Sequence, residues 1–174
     1  METTRRVALA FGALVLTGAL LRGPLSDALV SRGDEFLRGG DPRIGRVYYL
    51  RALFLNPDSA AAVDRLAFGD LELRTPASLR EATTVSAGFL SRHPDEWSVR
   101  LDRALALHAE RRDAAAALEF MRIAEQRRAF PYFGLAGHAA LRAGDKTMAR
   151  RAFAEALRIQ PGYAAARRIL GRLH

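Results

Sequence analysis

An all-α solenoid of antiparallel helix pairs, preceded by one N-terminal membrane helix, is the fold class this sequence predicts, on three observations. First, two stretches match each other at a fixed offset of 104 residues: Gly33 with Gly137, Gly40-Asp41 with Gly144-Asp145, Tyr49 with Phe153, Ala52-Leu53 with Ala156-Leu157, and Pro57 with Pro161. Second, that offset is three periods of 34 plus two residues, which leaves room for two more copies between the matched ones. Repetition at this period marks stacked helical hairpins, each burying its apolar face only against its neighbours. Third, Val7 to Leu21 holds 15 residues without a charge, between Arg5-Arg6 and Arg22-Gly23-Pro24. No segment reads as a strand.

Taken in chain order, residues 1–25 form the first unit. Fifteen helical residues span about 22 Å against a ~30 Å hydrocarbon core, so flanking arginines must snorkel for the stretch to cross. Arg5-Arg6 favour an amino terminus held inside, with residues 26–174 exported to a periplasmic side. One alternative is a signal cleaved after Ser26-Asp27-Ala28, which leaves the repeats secreted, and a third reading is a buried hydrophobic helix of the soluble domain, disfavoured by the basic flank and the helix breaker that follows. The uncleaved anchor is preferred, because Asp27 to Leu29 already belong to the first repeat and Arg22 is unfavourable before a cleavage site.

The repeat domain divides at about 26–59, 60–97, 98–129 and 130–163, with a capping helix over 163–174. The last repeat is clearest, with Phe133, Gly137, Gly144-Asp145, Ala149, Phe153, Ala156 and Pro161. The first carries Leu29, Gly33, Phe36, Gly40-Asp41, Tyr49, Ala52 and Pro57. In the second, Val63 and Ala67 keep the 34-residue spacing while Pro94 lies 37 after Pro57. Three extra residues are therefore expected near Leu73-Arg74-Thr75-Pro76, where Thr75 reads as an N-cap and Pro76 as the first helical residue. The third is degenerate, with Leu101, Leu105, Asp113, Ala117, Met121 and Ala124, placed 32 residues before the last.

These landmarks resemble the tetratricopeptide repeat over residues 26–174. The first-helix Trp slot holds Phe133 or Leu29 instead, and Ala140 stands where that family usually has Tyr. Each residue type has a physical reason. Gly137 and Ala156 let two backbones approach, Gly144 supplies a left-handed turn, Asp145 caps the next helix, Phe153 fills the space between helices and Pro161 stops the second. The resemblance implies a right-handed superhelix whose first helices line a concave groove that binds protein partners. Positions one turn apart on those helices face the groove. They are Asp34, Arg38, Arg65, Phe68, Glu72, His138 and Arg142. The basic and asparagine set by which some family members hold a C-terminal carboxylate is absent.

Composition narrows the function further. The chain has no cysteine, which excludes a disulfide, a thiolate metal site, a cysteine nucleophile and a lipoprotein anchor. Residues 1–121 hold 16 arginines and 16 acids, whereas residues 122–174 hold 11 basic groups and three acids, so all eight net charges lie in the last stretch. Arg150, Arg151, Arg158, Arg167, Arg168 and Arg172 form a basic face suited to an acidic partner, a glycan or the membrane surface. Nucleic acid fits that charge and little else, since the aromatics needed for stacking are committed to packing. None of His93, His108, His138 and His174 has a partner at metal or catalytic spacing. Glu110 and Asp113 read as a solvated pair, Arg32-Gly33-Asp34 sits inside a helix, and Gly39-Gly40-Asp41 is an interhelical turn. The expectation is a membrane-tethered adaptor in envelope, secretion or polysaccharide assembly, without catalytic residues, metal or cofactor. Nothing in the sequence sets an oligomeric state.

Overall fold

A computed structural model describes residues 21–173. Among them there are nine helices and no strand. We label them α1 (residues 21–38), α2 (Pro42–Leu55), α3 (Ala60–Leu73), α4 (Pro76–Leu90), α5 (Trp97–Ala109), α6 (Asp113–Arg127), α7 (Phe130–Arg142), α8 (Lys146–Ile159) and α9 (Ala164–Leu170). Consecutive helices pack as antiparallel hairpins, and α3 also packs against α5, so successive hairpins stack. This is the expected all-α solenoid.

Local chemistry sets the hairpins. Gly40 and Gly144 take φ of +82° and +81° in the turn between the paired helices. The following aspartates accept the orphan amides of the next helix, Ile44 N to Asp41 at 3.2 Å and Met148 N to Asp145 at 2.8 Å. Thr75 closes a reciprocal capping box with Ser78, ahead of Pro76 at the first helical position. Within each matched hairpin an aromatic ring lies over a glycine. Tyr49 sits on Gly33 and Phe153 on Gly137, both rings fully buried.

Three sequence expectations are corrected. The second hairpin keeps the 34-residue spacing at its inner turn, since Arg74-Thr75 (φ +50° at Arg74) occupy the place of Gly40-Asp41. The extra residues therefore lie beyond Leu73–Pro76. Helix α4 has 15 residues where α2 has 14, and six residues, 91–96, separate it from α5 where four, 56–59, follow α2. In the third hairpin Arg111 has φ +65° and holds the place of Gly144, which makes the spacing to the last repeat 33. Phe120, not Met121, is thus the counterpart of Phe153, and it is buried to 1% exposure. The residues expected at Leu101 and Leu105 are accordingly only half-buried.

The third correction concerns the membrane. Among the described residues no helix is long and apolar enough to cross one, which overturns the expected single-pass anchor with exported, periplasmic repeats. The stretch 1–20, on which both the anchor and the cleaved-signal readings fall, lies outside the described residues.

Candidate partner-binding groove

The first helices α3 and α5 pack directly against each other, with the small residues Ala67 and Ala106 in one buried cluster, and the end of α7 approaches α5 through the Arg142–His108 contact. Near their C-terminal ends they enclose an open cleft of about 660 Å³. Phe68, Leu71 and Leu105 supply an apolar floor, Arg74, Arg111 and Arg142 a basic rim, and Glu72, His108 and Ala109 complete the wall. Phe68 is 43% exposed, so its ring is open to the cleft.

One wall is held by a polar array. Buried Asp113 opens α6, where the helix N-terminus favours a carboxylate. Arg142 Nε lies 3.2 Å from Asp113 Oδ2, and His108 Nδ1 lies 2.7 Å from Oδ1, at an angle too poor for a hydrogen bond. Arg142 Nη1 stands 2.8 Å from His108 Nε2. Arginine only donates, so that nitrogen accepts and the ring proton resides on Nδ1, facing Asp113. The array fixes Arg142 at the groove's rim and leaves the imidazole no vacant nitrogen to act as a base.

Of the seven groove residues expected from sequence, Phe68, Glu72 and Arg142 share this cleft. Asp34, Arg38 and Arg65 gather elsewhere. Asp34 accepts the Tyr49 hydroxyl at 2.9 Å and pairs with Arg65 at 3.1 Å, while Arg38 donates to the Asp34 carbonyl at 3.2 Å. Burial, then the Asp34 hydrogen bond, pushes the Tyr49 hydroxyl up from its ordinary pKa. Arg65 also meets Asp64 at 3.3 Å, next to buried Asp102. Burial first, and then the Asp64 charge, raises the Asp102 carboxyl well above the usual carboxylate range. His138 is exposed and sets its ring edge-on to Phe153, 5.1 Å between centroids.

Sequence reasoning missed Leu105, Ala109 and His108. The 33-residue spacing makes Leu105 and Ala109 the counterparts of His138 and Arg142, so a register one residue off hid the whole contribution of α5. The signal was available in the turns, where Arg111 stands in the place of a glycine.

The basic face is partly spent on the protein itself. Arg151 pairs with Glu125 at 2.8 Å and Arg158 with Glu155 at 2.9 Å. Arg150 donates to the Leu173 carbonyl, and Arg167 to the Pro161 carbonyl at 2.6 Å. Arg168 and Arg172 project from the last helix and its end as exposed residues. A further buried carboxylate, Asp70, meets Arg46 Nε at 3.1 Å across the first two hairpins, and burial pushes its pKa up to about 6 against the pull of that arginine.

Comparison with known proteins agrees with this architecture. A family model described as tetratricopeptide repeat matches residues 78–132 and 135–174, more than half of the chain. Among solved structures, MamA 41-end from Desulfovibrio magneticus RS-1 superposes with a TM-score of 0.72 at 14% identity, over 87% of this chain and 84% of that one. Pseudomonas aeruginosa pilF does so with a TM-score of 0.65 at 19% identity, over 87% and 68%. YrrB, described as a TPR protein with an unusual peptide-binding site, gives 0.67 at 17% identity, over 97% and 83%. At these identities the likeness is one of fold. A search of curated proteins finds no match.

Proposed function

This chain belongs to the tetratricopeptide repeat family, whose fold is that of a protein–protein interaction scaffold, and from that premise we propose that it docks a partner polypeptide in the cleft across α3, α5 and α7. The observation that carries the reading is the pairing of an apolar floor with a basic rim. Phe68 and Leu105 offer a seat for one apolar side chain, and Arg74 and Arg111 offer charge-assisted hydrogen bonds to carboxylates beside it, with Arg142 held at the same rim by Asp113. The partner segment is therefore acidic with an apolar anchor, and the preformed wall around Asp113 reduces what binding must order.

The envelope, secretion or polysaccharide setting depended on the membrane helix and goes with it. Binding of an anionic polymer along residues 122–174 is the less supported reading, because Arg150, Arg151, Arg158 and Arg167 already have partners within the fold.

The test is site-specific photocrosslinking in cells from Phe68 and Leu105, with Leu118 on the opposite, second-helix side as reference. We expect one protein captured from both groove positions, and its capture lost on the double change Arg74→Glu and Arg111→Glu, at exposed rim residues, while the melting temperature holds. Capture of equal strength from Leu118, or capture indifferent to that double change, would sink the proposal.

A further inference from the structure

The first hairpin carries a feature that the groove does not use. Five of the exposed large apolar residues, Leu21, Leu25, Ile44, Val47 and Phe54, lie on α1 and α2, and Phe54 is 87% exposed. Together with Leu29, Leu50, Arg51 and Leu55, Val47 and Phe54 border an almost wholly apolar recess of about 460 Å³. Scattered exposed apolar residues need no explanation, but a contiguous apolar recess marks a surface that something covers.

The internal repeat shows what kind of cover belongs there. At the 104-residue offset, Leu29, Val47, Arg51, Phe54 and Leu55 correspond to Phe133, Arg151, Glu155, Arg158 and Ile159. In the last hairpin those five residues form one wall of a cleft, and Met121, Glu125 and Arg128, from α6 and its end, form the other. The covering wall is thus the stretch of chain immediately before the hairpin. In the first hairpin the described residues supply one wall of the same recess, and it is apolar where the last is charged.

We propose that the uncharged stretch Val7–Leu20, outside the described residues, covers the Val47–Leu50–Phe54 recess of its own chain. Three observations select that occupant. The stretch precedes the hairpin as α6 precedes α7, and the uncharged run Val7–Leu21 has 15 residues, as α6 does. Its attachment is on the side of the recess: Ser26 Oγ donates to the Ala52 carbonyl at 3.2 Å, which holds α1 against the end of α2 that carries Phe54. Its composition matches, since 14 uncharged, mostly apolar residues gain by leaving water and every residue bordering the recess except Arg51 is apolar. A covalent connection this short also gives the chain's own segment an effective concentration that a second copy does not reach.

The chain has no cysteine, so introduced pairs report without interference. In the full-length protein, Arg51→Cys is combined in turn with Ala10→Cys, Ala13→Cys and Thr17→Cys, and Arg150→Cys replaces Arg51→Cys as the distant reference. Under mild oxidation at low protein concentration, we expect a disulfide within the monomer for at least one Arg51→Cys pair. It should form on the order of tenfold faster than any Arg150→Cys pair and slow toward that reference when Phe54→Asp is added. Disulfides formed only between chains would assign the recess to a second copy and overturn the proposal. Equal rates to both reference and recess, or no disulfide in any pair, would overturn it as well. Thermal melts of each variant confirm that the fold is intact.

Discussion

The first and last hairpins, α1–α2 and α7–α8, share their internal chemistry and differ in their surroundings. Each lays a fully buried ring on a glycine, Tyr49 on Gly33 and Phe153 on Gly137. The last hairpin, with its own Phe133, belongs to a continuous core that takes in Leu107, Phe120 and Ile123 on neighbouring helices. The first belongs to a small cluster with Val30, Ala62 and Leu66, one side of which is the apolar recess around Phe54. Conserved packing inside a repeat is therefore compatible with divergent faces between repeats, and the faces carry the individuality of the chain. Stability in such an array is the sum of repeat and interface contributions, so the C-terminal end should be the better protected.

The largest effect follows from removing the ring at the centre of the larger core. Phe153→Ala should cost about 3–5 kcal/mol by opening a cavity beside Gly137, measured by chemical denaturation. An unchanged midpoint would mean that this ring does not hold the last two hairpins together. Next in size are the glycines. A Cβ at Gly137 would fall 2.8 Å from Phe153 Cε2, and one at Gly33 would collide with the Tyr49 ring. Both Gly137→Ala and Gly33→Ala should cost about 1–3 kcal/mol. Hydrogen exchange sharpens the contrast: Gly33→Ala should raise exchange chiefly in α1–α2, leaving α7–α8 protected. Uniform loss of protection would instead show that the array melts as one unit.

Buried carboxylates distinguish the middle of the array from its ends. Asp70 and Asp102 hold a proton more tightly folded than unfolded, since burial raises both above the ordinary value of 3.8. The folded state thus binds more protons between that value and the raised ones, and stability falls as pH rises through about 6 and beyond. Asp102→Asn removes the buried charge and should stabilise on the order of 1 kcal/mol at pH 8, the gain shrinking toward pH 4. Melting curves at the two pH values decide, and a gain independent of pH would refute the assignment. The smallest effect concerns the inner turn of the third hairpin, one of two that lack glycine. Arg111, at φ +65°, stands where both end repeats have glycine, and Arg111→Gly should stabilise by about 0.5–1 kcal/mol.

Legibility followed the range of the interactions. Turn glycines, aspartate caps, the Thr75-Pro76 start and the ring-on-glycine pairs involve residues within one hairpin, and their spacing is visible along the chain. Register across the third hairpin was misplaced by one residue, because Arg111-Arg112 replaces the Gly-Asp signal and the similar pair Phe120-Met121 offers two candidates. On a helix one residue is about 100° of rotation, which was enough to hide Leu105 and Ala109 from the groove. The apolar stretch at the N-terminus was read by length and flanking charge, and those do not separate a membrane span from a segment that a protein surface covers.

By itself the sequence determined the helical hairpins, the turns between them, the packing inside each repeat and the concentration of basic residues after Met121. Only the tertiary structure decided which first-helix positions meet in one cleft, that Asp113 clamps His108 and Arg142 together, that Asp102 is buried beside Asp64, and that the first hairpin ends in an apolar recess. The reason is physical: hairpins are closed by contacts between residues close in the chain, whereas grooves and edges depend on how rigid hairpins rotate against each other, which the summed packing of many small buried residues sets and no single spacing records.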